Sequence, residues 1–221
     1  MHNSTVHHPL VIGLVTSDNL RINLIYEEKK VARSKARATG DWEKYIFLHE
    51  KPCRLDTLVA ATKYGLKDKP SEFWALLGRV WRDTENAHQH PIKWRQLWAE
   101  PIEGRRACMS DEDLRTFDSL PEQIEVWRGT NHKRGLAGLS WTRDREMAVF
   151  FARRFCSGSR VPLLATGLIE KRDVVAYFGG RGEREIVSMK VSISSVTQLN
   201  PIPPNYGESV AGGELTMPNA G

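Results

Sequence analysis

No run of 18 or more consecutive apolar residues occurs in the 221-residue chain, so no transmembrane helix is expected. Cysteine is scarce. Cys53, Cys108 and Cys156 are odd in number, widely scattered and without a Cys-x-x-Cys pair. That excludes a disulfide scaffold, argues against a zinc or other metal site, and fits free thiols in a reducing compartment; the cytoplasm is the expected location. Residues 1–9 are polar and His-rich, without the cationic start and apolar core of a secretory signal. The chain has neither an internal repeat nor a low-complexity block before residue 201. With 40 % hydrophobic and 27 % charged residues it is no collagen and no wholly disordered polymer. Its length suits one large domain, or a domain with an appended subdomain.

What is present is unevenly placed. The formal charge is +5, and residues 1–110 hold 18 basic and 13 acidic side chains against 14 and 14 in the remainder. The excess sits in the first half, much of it in Lys29, Lys30, Arg33, Lys35 and Arg37. Such a stretch is a solvated helix face, a linker, or a footprint for a polyanion.

Apolar runs at 10–15 and 22–26 are separated by Thr16-Ser17-Asp18-Asn19, which suggests a hairpin, or a second run that opens a helix through the basic stretch. From Asp41 to about Glu100 the period is helical. Ser71 is a candidate N-cap ahead of Phe73, Trp74, Leu76, Leu77, Val80 and Trp81, which share one helix face. Pro91 can open a short helix carrying Trp94, Leu97 and Trp98. The second half changes character. A strand at 124–127 leads into a loop holding Gly129, Gly135 and Gly138, and residues 143–155 form an amphipathic helix burying Met147, Ala148, Phe150, Phe151 and Phe155. Strands are expected at 163–169, 174–177, 185–191 and 193–199. Helices followed by strands indicate an α+β fold: a mainly helical basic region 1–110, a strand-rich core 111–200 and a flexible Pro/Gly/Asn-rich tail 201–221.

Three short segments can carry chemistry. Glu183 and Glu185 open a strand after the flexible Gly179-Gly180-Arg181-Gly182 turn. Spacing of two on a strand puts both carboxylates on one face, about 6.6 Å apart along the chain. One can stabilise a cationic sugar transition state while the other orients or deprotonates a nucleophile. Trp127-Arg128-Gly129 ends an earlier strand, where arginine offers a forked donor to phosphate. Ser140-Trp141-Thr142 leads into the Phe-rich helix, with its outer hydroxyls on one strand face or Thr142 capping the helix. Each alone reads equally well as ordinary surface or strand-end chemistry.

In this order and spacing the three segments resemble the R-S-E class of ADP-ribosyltransferases, the cholera-toxin-like and arginine-type enzymes that include phage and bacterial toxins. That pattern is an aromatic-Arg pair near a strand end, Ser-x-Ser/Thr before a helix, and Glu-x-Glu or Gln-x-Glu after a flexible loop. The likeness covers roughly residues 123–190, including the Ala/Phe-rich helix at 146–152. The string Trp81-Arg82-Asp83-Thr84-Glu85-Asn86 resembles the helical region of some phage-type members. Tryptophan at the centre of the serine motif departs from the commonest form.

The resemblance implies an ADP-ribosyltransferase-like mixed-sheet core and an enzyme that takes NAD as substrate without a metal. Arg128 would bind the phosphate and ribose region, Gly129 the nicotinamide amide. Ser140 would hold the catalytic glutamate and Thr142 would support the pocket, with Phe151 as one wall. Glu185 would be that glutamate, bonding the 2′-OH of the nicotinamide ribose. Glu183 would position or deprotonate the acceptor, and Tyr177 and Phe178, in the loop before the pair, would recognise the target. A glutamate two before the catalytic one favours a protein arginine, while the basic first half favours an RNA or DNA base. Two rival readings are an NAD glycohydrolase and a non-catalytic basic nucleic-acid-binding module. A transferase acting inside its own cell is toxic, so a neutralising antitoxin is an expected partner.

Overall fold

The computed structural model describes residues 6–7, 9–11, 14–15, 20–84, 90–154, 156 and 160–200. The tail expected at 201–221 and Phe155 lie outside them. A short antiparallel pair joins β1 (Val6–His7) to β2 (Leu14–Val15). The hairpin expected between 10–15 and 22–26 is not made. Residues 22–26 belong instead to α1 (Leu20–Thr39), which runs through the basic stretch as the alternative had it. Of its side chains only Ala36 is fully buried, so α1 rests on the body through its C-terminal end.

The helical region continues with α2 (Trp42–Phe47), α3 (Arg54–Lys63), α4 (Pro70–Asp83), α5 (Pro91–Trp98) and α6 (Asp111–Asp118). Asp41 caps α2 by accepting from the Lys44 amide at 3.1 Å. Ser71 is not the cap of α4: the helix begins one residue earlier at Pro70, whose missing N–H and fixed φ suit the first turn, after Lys69. The predicted face of α4 is buried from Phe73 to Trp81. Trp81 meets Trp94 edge-on at 4.8 Å and Trp98 at 5.7 Å, so the tryptophans build the helical core.

The sheet holds β3 (Gln123–Thr130), β4 (Ser140–Thr142), β5 (Leu163–Glu170), β6 (Val174–Phe178), β7 (Glu185–Ser188) and β8 (Ser192–Gln198), with α7 (Arg145–Arg153) after β4. Its order is β6-β7-β4-β3-β5-β8 and every neighbour is antiparallel. Helices first and a sheet after make the fold α+β, but the sheet, expected to be mixed, is antiparallel throughout the described strands. α7 is shorter than the helix expected at 143–155 because Asp144 caps it, accepting from the amides of Glu146 and Met147. Phe150, expected inside, is 56 % exposed, while Phe151 is half-buried. Gly129 lies within β3 rather than in the following loop, and α7 crosses it so closely that a Cβ there would sit 1.8 Å from the Ala148 carbonyl oxygen.

Both halves share one core. Trp74, Trp94 and Trp98 belong to the same buried cluster as Ile124, Val126 and Ile186, so the described residues before and after 110 are layers of one body, and α6 packs beside β6. Among the described residues no helix is long and apolar enough to cross a membrane.

Candidate active site

Register brings the motifs together. Thr142 on β4 pairs with Trp127 of β3 on one side and Glu185 of β7 on the other, and Glu185 pairs with Phe178 of β6. Directly paired residues point to the same sheet face, so Phe178, Glu185, Thr142 and Trp127 form one row across four strands. That row floors a cavity of about 1150 Å³, roofed by α7 on one side and by α4 on the other. Arg128, Gly129, Ser140, Phe151 and Glu183 also line it. Trp141, the middle residue of the serine motif, also touches the cavity but is almost wholly buried, donating to the Gly138 carbonyl at 3.2 Å and anchoring the strand that presents its neighbours.

Glu185 has two hydrogen-bond donors. Trp81 of α4 donates its Nε1–H to Oε1 at 3.1 Å, and the Ser140 hydroxyl bonds to the same carboxylate. Burial still pushes its pKa above the ordinary value; Glu183 adds to the rise, while the two hydrogen bonds and Arg128 oppose it. Arg128 uses Nε to donate to the Gly135 carbonyl at 2.6 Å and Nη1 to donate to the Ser140 carbonyl. Burial lowers its pKa to about 10, with Glu185 pulling the other way, so it stays cationic at neutral pH. The arginine is therefore first a clamp that folds the loop 133–138 over β4. Gly138 has no side chain for that reason: a Cβ there would meet Nη2 at 2.1 Å.

Glu183 is not on the strand with Glu185. It closes a one-turn 3-10 helix (Gly180–Gly182) in a helical conformation, and Arg184 takes a left-handed φ of 44° before β7 begins. This turn, uncommon for a residue with a side chain, delivers both carboxylates to the cavity without the flat spacing of two. It is fastened by Thr142, whose hydroxyl donates to the Glu183 carbonyl at 2.5 Å, and by the Arg143 amide on the Arg184 carbonyl at 3.2 Å. Thr142 is thus a brace of the acidic loop and not the cap of α7.

Tyr177 and Phe178 are on β6 and buried, rather than in a loop. Phe178 reaches the cavity; Tyr177 is not among its lining residues and packs near Gly179. The loop entry is fixed from α6, where the buried Asp113 accepts from the Gly179 amide at 2.7 Å. The basic stretch of α1 does not line the cavity. Lys29 pairs with Glu50 at 3.1 Å, Lys30 with Glu27 at 3.3 Å, and Arg37 lies over the Tyr64 ring at 4.1 Å.

Residues the motifs did not reveal complete the site: Phe47 at the end of α2, and Arg79, Trp81 and Arg82 on α4. Trp81 and Arg82 open the string noted in the sequence, but apolar spacing assigned the tryptophan only to the core. Among the described residues no group of three or more His, Cys, Asp or Glu could hold a metal ion. No family model, curated protein or solved structure matches the chain.

Proposed function

We propose that the chain is an NAD-dependent mono-ADP-ribosyltransferase with an ADP-ribosyltransferase-like core, acting on a macromolecule as a toxin or defence effector. The observation that carries the reading is the Glu185 carboxylate, held by Trp81 and Ser140 on the floor of a cavity that also presents Arg128 and Glu183. The cavity's volume of about 1150 Å³ suits a dinucleotide plus an acceptor group, and Arg128, Arg154 and Arg160 among its lining suit a pyrophosphate.

In this reading the nicotinamide–ribose bond breaks with its electron pair leaving on nicotinamide, whose ring loses its positive charge. The cation forms instead on the ribose, where a fixed carboxylate lowers the barrier. Glu185 supplies that charge in a site partly closed to water, bonding the ribose 2′-OH. The acceptor then adds to C1′ and gives up its proton to Glu183. Arg128 keeps one guanidinium nitrogen for the phosphate–ribose region, while its other two hold the loop. The Gly129 face is filled by α7, so only its backbone can serve the nicotinamide amide. Phe151 walls the pocket. Three unpaired thiols support a cytoplasmic setting, and self-toxicity there calls for an antitoxin.

The test is label transfer from adenylate-labelled NAD by the purified chain and its Glu185→Gln variant, with RNA, DNA and cell protein offered separately. Label in one pool, lost with the variant, is the expected result. Nicotinamide release without label means a glycohydrolase, and no NAD consumption at all leaves a binding module.

A further inference from the structure

The helical rim of the cavity differs chemically from its floor. Arg79 and Arg82, three apart on α4, are exposed and line the cavity's rim, which Phe47 shares. Arg79 and Arg54 lie over the Phe47 ring at 4.5 and 5.0 Å, and Arg82 over the Phe178 ring at 5.4 Å. Their guanidinium planes are thereby held in place on aromatic supports. Phe178 neighbours Glu185 across the strands and leads into the loop that carries Glu183, so the Arg82 stack adjoins the acceptor side.

The rim is cationic after its acids are counted. Asp83 is taken by Arg54 and by Lys51 at 3.6 Å, and Glu43 pairs with Arg79 at 2.7 Å on the exposed surface. An exposed pair of that kind is worth about 1 kcal/mol or less, so a phosphate can take Arg79 from Glu43. An arginine acceptor approaching Glu183 would enter the cavity that Arg79 and Arg82 also line, and like charges there repel over a screening length of about 8 Å at physiological salt. A phosphodiester is attracted there, and an unpaired base can stack on an ordered guanidinium plane. The cavity is concave, and a base inside a duplex cannot enter it.

Resting on the transferase reading, we infer that the acceptor is a single-stranded nucleic acid, held at the helical rim by Arg79 and Arg82. A base nitrogen or sugar hydroxyl bonds to ribose C1′ as nicotinamide departs with the electron pair, and the displaced acceptor proton passes to Glu183.

The full chain is given labelled NAD with a mixed-sequence single-stranded oligonucleotide, its duplex, or an arginine-rich peptide. Label should enter the single strand and neither of the others. Two phosphate contacts should weaken oligonucleotide binding about sevenfold between 50 and 200 mM salt. The Arg79→Gln, Arg82→Gln double variant should raise KM for the oligonucleotide at least tenfold and KM for NAD much less. Arg79→Lys with Arg82→Lys keeps the charge, and should keep the salt dependence while still raising KM for the oligonucleotide through lost stacking. Label on the peptide or duplex, label nowhere with nicotinamide released, or equal rises in both KM values overturns the inference and leaves NAD cleavage standing. If wild-type protein releases no nicotinamide with any probe, the transferase reading falls and the acceptor inference with it.

Discussion

Trp81 and Glu185 stand 104 residues apart in the chain and one hydrogen bond apart in space, indole Nε1 to carboxylate Oε1 at 3.1 Å. The bond ties α4 to the first residue of β7, so the helical region helps set the charge state of the central acid. A donor favours the ionised form, and its loss lets burial and Glu183 push the Glu185 pKa higher still.

Trp81→Phe keeps the ring packing against Trp94 and Trp98 and removes only the N–H. A hydrogen bond to a charged group is worth about 1.5–3 kcal/mol, or roughly one to two pKa units. The acid limb of nicotinamide release should move up by about one pH unit, with activity recovered at higher pH. An unmoved limb in a well-folded variant would show that the indole only packs.

Glu185→Gln separates charge from shape. A carboxyl whose folded pKa is raised contributes stability that is full below its unfolded value and is lost as pH rises through the folded one. At neutral pH this raised carboxyl therefore costs the wild-type protein stability that glutamine, which does not titrate, does not cost it. The variant should be inactive yet melt higher than wild type at pH 7.5, and the gap should close as pH falls below the ordinary carboxylate range. A variant that melts lower at pH 7.5 would mean that Arg128 and the two donors outweigh the desolvation of Glu185.

Much of this was legible from the residues. The α+β order, most strand positions and the Pro91 helix follow from periodicity, while the grouping of Arg128, Ser140, Thr142 and the two glutamates is expected only from the family resemblance. The misreadings came from backbone geometry that spacing does not carry. Glu183 left the strand because Arg184 adopts a positive φ stabilised by bonds from Thr142 and Arg143. Phe150 turned outward because α7 ends at Arg153 and lays Ala148 and Ala152 against β3. Trp81, Arg79 and Phe47 stayed invisible because long-range packing placed them; apolar periodicity is the same for a core tryptophan and for one that also touches an acid.

Two glycines should respond differently to alanine. At Gly129 the new Cβ meets backbone, the Ala148 carbonyl oxygen at 1.8 Å and the Ala152 nitrogen at 2.5 Å, so α7 must move. Overpacking of this kind typically costs about 1–3 kcal/mol, and each kcal/mol lowers Tm by about 2–4 °C in a chain of this size. At Gly138 the Cβ meets a side chain, the Arg128 guanidinium at 2.1 Å, which can swing away. Gly129→Ala should show mainly in the melting curve and Gly138→Ala mainly in the rate of NAD cleavage. The reverse pattern would place Arg128 outside the working site.

Arg128→Lys tests whether the arginine is a clamp before it is a ligand hand. Nε and Nη1 reach two carbonyls, Gly135 and Ser140, that lie five residues apart on either side of the turn into β4. A lysine ammonium keeps the charge but cannot reproduce that fork, and a buried carbonyl left without its donor costs about 1–3 kcal/mol. The loop 133–138 should open more often, and hydrogen exchange of its amides should speed up while the core strand β5 stays protected. NAD affinity should fall in parallel, because the loop helps enclose the cavity. If the lysine variant binds NAD poorly with the loop as protected as in wild type, the arginine acts on the ligand directly and the clamp is incidental.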